Sequence, residues 1–188
     1  MTKAPDKIRW TTADLEVLAA DEWKRYEIID GELFVSRAPH IRHQGVGGRI
    51  YANIFNWSEK TNLGQPFFTP GIIFSDADNV IPDVVWISNE RLSQLVDDDG
   101  HLTGAPELVI EVLSAGNTNE RRDKEAKLKL YSIKGVKEYW IVDWRLKQIE
   151  IYRRENAQLI LIATLMEDDK ITSSILPRFN CNIQKFFN

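Results

Sequence analysis

The sequence of 188 residues contains little cysteine and no long apolar run. Its single cysteine, Cys181, excludes an internal disulfide bond, and no window has the length and hydrophobicity of a transmembrane helix. The chain also does not begin with the basic and then apolar segment of a secretion signal. We therefore expect a cytoplasmic protein that has no membrane partner.

The sequence also lacks an excess of positive charge, because it has 24 Lys and Arg residues against 28 Asp and Glu residues, for a formal net charge of −4. This balance argues against a protein that coats nucleic acid through a broad basic surface, but it is compatible with a focused basic groove. With 43% hydrophobic residues, the chain is long enough for a full core and short for two domains. We predict one domain over residues 1–188.

Turn residues and hydrophobic periodicity predict the order of helices and strands. Asp30-Gly31 in "YEIIDGELFV" indicates a β-hairpin, and an apolar repeat of three or four residues predicts a helix from Ile41 to about Thr61. Strands are predicted in "FFTPGIIF", "IPDVVWI" and "PELVIEVLS", with the polar turn "SDADNV" between the first two. A helix that ends at Gly135 and a strand in "KEYWIVD" follow.

This order over residues of about 41–143 predicts an α/β fold with a mixed central sheet flanked by helices. The N-terminal hairpin and a C-terminal β extension are predicted as additions to that core, since the tail has the pattern of a further hairpin and a short last segment.

Glu111 lies inside the apolar run "LVIEVL". A strand that is apolar on both faces is normally covered on both sides, and burial of an unpaired carboxylate there would cost several kcal/mol. Glu111 should therefore have a cation, a hydrogen-bonding partner or a metal close to it.

Lys127 is the second anomaly, because on an ideal helix it falls inside the apolar arc that includes Leu130 and Tyr131. Its ammonium group needs a carboxylate or a phosphate. Asp83 opens the strand before that of Glu111, so two neighbouring strands and one helix can bring the three side chains together. A structural alternative stays open, in which Glu111 and Lys127 form a buried salt bridge or Lys127 extends its head group to solvent.

Two carboxylates and a lysine are the groups that metal-dependent phosphodiester hydrolysis requires. The carboxylates hold a hard divalent cation such as Mg²⁺, which lowers the pKa of a bound water and polarises the phosphorus centre. The lysine orients that water or neutralises charge on the phosphate. The motifs "IPDVVWI", "PELVIEVLS", "DKEAKLKLY" and "GVKEYWIVD" resemble the PD-(D/E)XK nuclease superfamily and, within it, the bacterial Uma-two family of restriction endonuclease homologues.

The resemblance implies a restriction-endonuclease-like core and a metal-dependent DNA endonuclease. It implies that Asp83 and Glu111 bind Mg²⁺ or Mn²⁺, that Lys127 is catalytic, and that Glu27 is a further catalytic acid that could reach the metal. His43 matches a recurring helix histidine of the family. Leu113 stands where the superfamily usually has its lysine, and the resemblance implies that Lys127 takes this role from the following helix.

Two other functions stay open at this stage. The chain can be a noncatalytic nuclease-fold binding module that uses Glu111 and Lys127 as a structural pair, or a hydrolase of a small phosphate ester. As possible contacts for DNA phosphates we consider Arg121, Arg122 and Lys124, which open the second helix, although a charged first turn is usually solvated. We also expect a homodimer, since nucleases of this kind commonly cut both strands as two-fold pairs.

Overall fold

The computed structural model describes residues 8–18, 24–114 and 116–188. Its strands are β1 (Lys24–Ile29), β2 (Glu32–Arg37), β3 (Gly64–Phe68), β4 (Ile72–Ser75), β5 (Asp78–Val80), β6 (Val84–Ser88), β7 (Leu108–Val112), β8 (Glu138–Asp143), β9 (Gln148–Glu155), β10 (Gln158–Met166), β11 (Lys170–Thr172) and β12 (Asn180–Asn182). Its helices are α1 (Thr12–Val17), α2 (Ile41–Thr61), α3 (Asn89–Leu95), α4 (Asn117–Arg121), a π-helical turn (Arg122–Lys127), α5 (Leu128–Lys134) and α6 (Gln184–Phe187). None of the described helices is long and apolar enough to cross a membrane.

Among the described residues, six strands form the central sheet, in the order β10-β9-β8-β7-β6-β3. Strands β7 and β8 are parallel, and the other neighbours are antiparallel. Helices cover the faces of this sheet, so the predicted mixed α/β fold is confirmed. The sheet extends beyond the predicted core of about 41–143, because the hairpin of β9 and β10 adds two strands to it. The single-domain boundary at 1–188 stays a prediction.

Alternate residues of β7 enter two different apolar clusters, one on each face of the sheet. Ile110 packs in the cluster that contains Ile50 of α2, whereas Val109 packs in the cluster that contains Leu130 of α5. Because side chains alternate along a strand, Glu111 projects from the same face as Val109. The strand therefore directs the Glu111 carboxylate towards α5 and the turn before it.

A second sheet has the order β2-β1-β5-β4 and lies beside this face. Its hairpin of β1 and β2 turns at Asp30 and Gly31, which have φ values of 50° and 71°. Two consecutive left-handed residues are typical of the type I′ turn that Asp-Gly favours, so the predicted hairpin is confirmed. The hairpin is an integral part of this sheet, since Ile28 of β1 pairs with Asn79 of β5.

The prediction of one strand in "FFTPGIIF" is wrong. Strand β3 ends at Phe68, Thr69 adopts a left-handed φ of 50°, and β4 begins at Ile72 in the other sheet. Pro70 has no backbone N–H and cannot continue the ladder of a strand, which explains the break. The segment predicted as the polar turn "SDADNV" contains β5, so the chain makes a short hairpin here before it returns to the central sheet at β6.

The two predicted helices end where the sequence indicates, but the second is not a regular α-helix. Helix α2 spans Ile41–Thr61 and ends at Asn62, whose φ of 52° is left-handed. The helical segment over 117–134 ends at Gly135, whose φ is 95°. Its middle is the π-helical turn, which the 3.6-residue periodicity of the sequence does not indicate.

Candidate active site

A buried lysine joins two carboxylates where β1, β7 and the π-helical turn meet. Lys127 Nζ lies 2.8 Å from Glu111 Oε1 and 2.8 Å from Glu27 Oε1. The exposed fraction is 1% for Glu27, 2% for Glu111 and 1% for Lys127. The fold therefore brings three of the residues considered in the sequence analysis, from three separate segments, to one point.

The π-helical turn determines which side chains of its segment reach this point. Asp123 Oδ1 lies 3.8 Å from Lys127 Nζ, and both side chains are buried. The hydroxyl of Tyr139, on β8, donates a hydrogen bond to the Asp123 carbonyl oxygen at 3.0 Å. Single π-helical turns occur frequently at functional sites because they redirect side chains within a helix.

Hydrogen bonds fix the orientation of both glutamates. The Tyr131 hydroxyl donates to Glu111 Oε1 at 3.0 Å, and the backbone N–H of Ile81 donates to Glu27 Oε1 at 2.8 Å. Arg122 Nη1 lies 3.4 Å from Glu27 Oε2. Each carboxylate is thus held by a neutral donor as well as by a cation, which lowers the cost of its burial.

The three residues predicted as phosphate contacts are all paired with acidic side chains. Arg122 is 7% exposed and forms a two-pronged ion pair with Asp123, at 2.8 Å and 3.2 Å. The π-helical turn directs the Arg122 guanidinium towards Asp123 and Glu27. Arg121 and Arg122 also line a cleft of about 740 Å³, and their contact with a phosphate stays a prediction. Arg121 lies 3.4 Å from Glu125, and Lys124 lies 3.0 Å from Glu150, so both positive charges are partly neutralised on the surface.

Asp83 lies beside Glu111 but contacts a different set of groups. It precedes β6, whose Val84 is opposite Ile110 of β7. The N–H of Val112 donates to Asp83 Oδ2 at 2.8 Å, and His43 Nε2 lies 3.3 Å from the same oxygen. His43 therefore supports Asp83 from α2.

Burial and the surrounding negative charge make Glu111 a weak acid. Burial and the carboxylates of Asp123, Asp83 and Glu27 raise the pKa of Glu111 to about 8, although the nearby Lys127 ammonium opposes this shift. Burial raises the pKa of Asp123 as well. Glu111 is therefore a weaker acid than a solvent-exposed glutamate.

Glu27 and Lys127 stay charged. Burial alone would raise the pKa of Glu27, but Lys127 and Arg122 hold it below its usual value. Burial alone would lower the pKa of Lys127, but Glu111 and Glu27 raise it to about 12. Lys127 is consequently a permanent cation and hydrogen-bond donor, and it is not a base at neutral pH.

Asp83 and Glu111 supply the hard oxygen donors that Mg²⁺ prefers. The described residues include no group of three or more His, Cys, Asp or Glu side chains that could hold a metal ion, so water or phosphate oxygens would have to complete the coordination. Both hydrogen bonds described for Glu111 converge on Oε1, and Asp83 Oδ1 is 3.5 Å from Arg25. The two carboxylates are of the chemical type that holds a divalent cation, and Asp83 Oδ1 already accepts a hydrogen bond from Arg25.

A cleft of about 510 Å³ lies beside Asp83. His43 and Ser114 line the cleft near the end of β7, and Arg37 lines it on the side of β2. The cleft is therefore separated from Asp83 by the side chain of His43, which contacts Asp83 directly.

Three contributors to this site have no role in the sequence analysis. Arg25, Tyr131 and Tyr139 contact Asp83, Glu111 and the Asp123 backbone, respectively. Tyr131 belongs to the predicted apolar arc, four residues after Lys127. A hydroxyl group at that position of the arc is the signal that could have identified Tyr131 as a partner of the site. Arg25 lies on β1 and its contact depends on the pairing of distant segments, for which a single sequence gives no signal.

Comparison with known proteins identifies the family of the whole chain. The sequence profile of the Uma2 family, described as "Putative restriction endonuclease", matches residues 12–184. The chain belongs to the Uma2 family. A crystal structure described as a "putative nuclease belonging to DUF820 from Anabaena variabilis ATCC 29413" shares the fold, with a TM-score of 0.72 and 18% sequence identity. The match covers 94% of this Uma2 chain and 97% of that chain. A search of curated proteins finds no match.

Proposed function

We propose that this Uma2 protein is a metal-dependent endonuclease that hydrolyses DNA phosphodiester bonds. The observation that carries the proposal is the buried contact of Lys127 with Glu27 and Glu111, close to Asp83, which directly precedes the neighbouring strand β6. Membership of a family described as restriction endonucleases supports the same reaction class. Sequence preference is not part of the proposal.

Asp83 and Glu111 would hold Mg²⁺ or Mn²⁺. Burial and the neighbouring carboxylates of Asp123, Asp83 and Glu27 raise the pKa of Glu111, and a bound cation would offset both effects. A cation bound there supplies a water of lowered pKa and polarises the phosphate. The N–H of Val112 and the side chain of His43 hold Asp83 in place for this task.

Lys127 acts as a fixed donor in this proposal. Its raised pKa keeps the ammonium charged, so it orients the attacking water or stabilises negative charge on the phosphate, and it does not remove a proton. Glu27 and Tyr131 position Lys127 and Glu111 through the contacts described above. Glu27 is thus a positioning residue of the proposed site.

Nicking of supercoiled plasmid in Mg²⁺ or Mn²⁺ tests this function. We expect the parent protein to nick DNA and to lose activity in EDTA, and we expect Asp83→Asn and Lys127→Met to lose at least about 100-fold in rate. Lys129→Met is the matched control, since Lys129 is exposed two residues further along the helix. Circular dichroism of each variant separates loss of chemistry from loss of folding.

Two outcomes would contradict the proposal. One is a folded parent protein that never nicks plasmid or oligonucleotides with either metal. The other is a folded Lys127→Met variant that cleaves at the rate of the parent.

The alternative is a noncatalytic nuclease-fold binding module. It is favoured by one observation, namely that the Lys127 ammonium already bridges Glu27 and Glu111 in the interior, as a structural ion pair would. Calorimetric titration with Mg²⁺ distinguishes the two functions. Binding that disappears in Asp83→Ala supports the nuclease, whereas no binding to the parent protein supports the module.

We also propose that DNA is the partner and that the protein is cytoplasmic.

We propose further that the protein is a homodimer. In edge strand β10 the exposed fractions of Ile160, Leu161 and Ile162 are 42%, 48% and 39%, and an uncharged apolar edge is suited to contact a second copy. Sedimentation at micromolar concentration tests the dimer, and a monomer there would contradict it.

A further inference from the structure

A pair of stacked aromatic rings lies at the cleft beside Asp83. The rings of His40 and Trp144 are 5.1 Å apart between centroids, with an interplanar angle of 15°. Both residues line the cleft of about 510 Å³ that His43 also lines. His40 is exposed, so its imidazole offers an aromatic surface to solvent close to the proposed site.

Hydrogen bonds hold both rings in place. The backbone N–H of Arg42 donates to His40 Nδ1 at 3.1 Å, because His40 caps the N-terminus of α2. The indole N–H of Trp144 donates to the carbonyl oxygen of Leu113 at 3.1 Å. Leu113 is two residues beyond Glu111, so the stacked pair is anchored to the strand that carries the proposed metal ligand.

Arginines lie on both sides of the stacked pair. Arg37 lines the cleft on one side, and Arg42 and Arg49 line an adjoining cleft of about 530 Å³ that shares Trp144. Within the described parts of the chain, none of these three arginines forms an ion pair with a carboxylate. By contrast, each of the three basic residues predicted as phosphate contacts forms an ion pair with a carboxylate, namely Arg121, Arg122 and Lys124.

Alternating cations and aromatic rings are the arrangement that binds a single nucleic-acid strand, because the cations contact phosphates while the rings stack on bases. A cleft of this volume is large enough for one nucleotide. We propose that His40, backed by Trp144, stacks on an unpaired base of the DNA strand that is cut, with Arg37 on one side and Arg42 and Arg49 on the other contacting its phosphates. This inference rests on the proposed nuclease function and defines its substrate as DNA with an unpaired base beside the scissile phosphate.

Binding of a fluorescein-labelled single-stranded oligonucleotide in EDTA tests the inference without any cleavage. Two variants separate the roles of His40. His40→Asn keeps a helix-capping side chain and removes the ring, whereas His40→Phe keeps a ring and removes the cap. We expect His40→Asn to weaken binding about tenfold and His40→Phe to stay within about twofold of the parent. His101→Ala is the control, since it removes another exposed imidazole that does not line either cleft.

An oligonucleotide series with one abasic position identifies the stacked base. At one position the abasic substitution should weaken binding to the parent protein and have no further effect on His40→Asn. Equal binding of the parent and His40→Asn, or no effect of any abasic position, would overturn the inference, as would equally tight binding of a blunt duplex. Metal-dependent nicking with no dependence on His40 would refute only the stacking, whereas His40-dependent binding without nicking would refute only the hydrolysis.

Discussion

Lys127 has an ammonium group that is almost completely removed from water. Burial of an isolated charge is very costly, so the position of Lys127 depends on the two carboxylates at 2.8 Å. Burial, with the carboxylates around it, raises the pKa of Glu111 in spite of the Lys127 ammonium. Residues in such a cluster are interdependent, and the effect of changing one depends on the others.

Replacing Lys127 with Met should therefore be more harmful alone than together with Glu111→Gln. Lys127→Met leaves two buried carboxylates without their shared cation, and we expect a loss of about 3–5 kcal/mol in the free energy of unfolding. Adding Glu111→Gln removes one of these carboxylates, while Glu27 retains Arg122 and the Ile81 N–H. We expect the double variant to recover about half of the loss in urea unfolding followed by circular dichroism. If the double variant lost as much stability as Lys127→Met and Glu111→Gln lose separately when added together, the two residues would not interact.

The sequence predicts part of this cluster. Glu111 and Lys127 are recognisable because each places a charge in an apolar pattern, which is a local signal. The inward position of Arg122 is not recognisable from the sequence. On an ideal helix of 3.6 residues per turn nothing indicates that its guanidinium turns inward, and the apolar periodicity does not show the π-helical turn. The contacts of Asp83 with His43 and Arg25 join segments far apart in the chain, so they depend on the tertiary fold.

At the scale of elements, edge strand β3 lies very close to β6. A Cβ atom added at Gly64 would collide with the backbone oxygen of Ile87 and lie 2.7 Å from Ser88 Cα. The backbone cannot yield as a flexible side chain can, so this position requires glycine. Gly48 in α2 is different, because an added Cβ there would meet no atom within 4 Å.

These two glycines give a matched pair of substitutions. Gly64→Ala should lower the free energy of unfolding by about 3 kcal/mol, since the strand must move away from β6. Gly48→Ala should raise it by about 0.5–1 kcal/mol, because alanine restricts the unfolded chain and favours a helix. Thermal and urea unfolding measure both effects. A Gly64→Ala variant as stable as the parent would contradict the close approach of the two strands.

Element limits were predictable where turn residues mark them. Asp30-Gly31, Asn62 and Gly135 each adopt left-handed backbone conformations at the predicted ends. The break at Thr69 was not predicted, although Pro70 follows it, because the apolar residues on both sides continue the strand pattern. The sheets that β3 and β4 join depend on the burial of residues such as Ile72 and Val80 beneath the second sheet. The local sequence does not indicate this burial.

At the scale of the whole molecule, Glu27 connects the second sheet to the central one. It lies on β1 and its carboxylate contacts Lys127 and Arg122 of the π-helical turn. The hairpin of β1 and β2 is otherwise half-exposed, with buried residues at the end of β1. The hairpin is therefore attached to the rest of the fold by Glu27, by the buried side chains of Ile28 and Ile29, and by the pairing of β1 with β5.

Glu27→Gln should loosen the hairpin selectively. The amide keeps the volume of the side chain but loses the charge that pairs with two cations, so we expect faster hydrogen exchange over 24–37 and little change over β7 and β8. Hydrogen-exchange mass spectrometry measures this difference. Glu32→Gln, on the exposed part of the same hairpin, is the control. Equal acceleration in all strands would show that the hairpin and the central sheet unfold as one unit.

The ion network around Lys127 also has a consequence for the order of events during synthesis. Glu27 leaves the ribosome about 100 residues before Lys127. Strand β7, which carries Glu111, pairs with β8, and β8 is synthesised after Lys127. An incomplete chain thus contains acids of the site without the lysine that neutralises them. The newly made protein can assemble the whole cluster only after most of its length has emerged, so nascent fragments would lack the complete set of groups proposed to attack DNA.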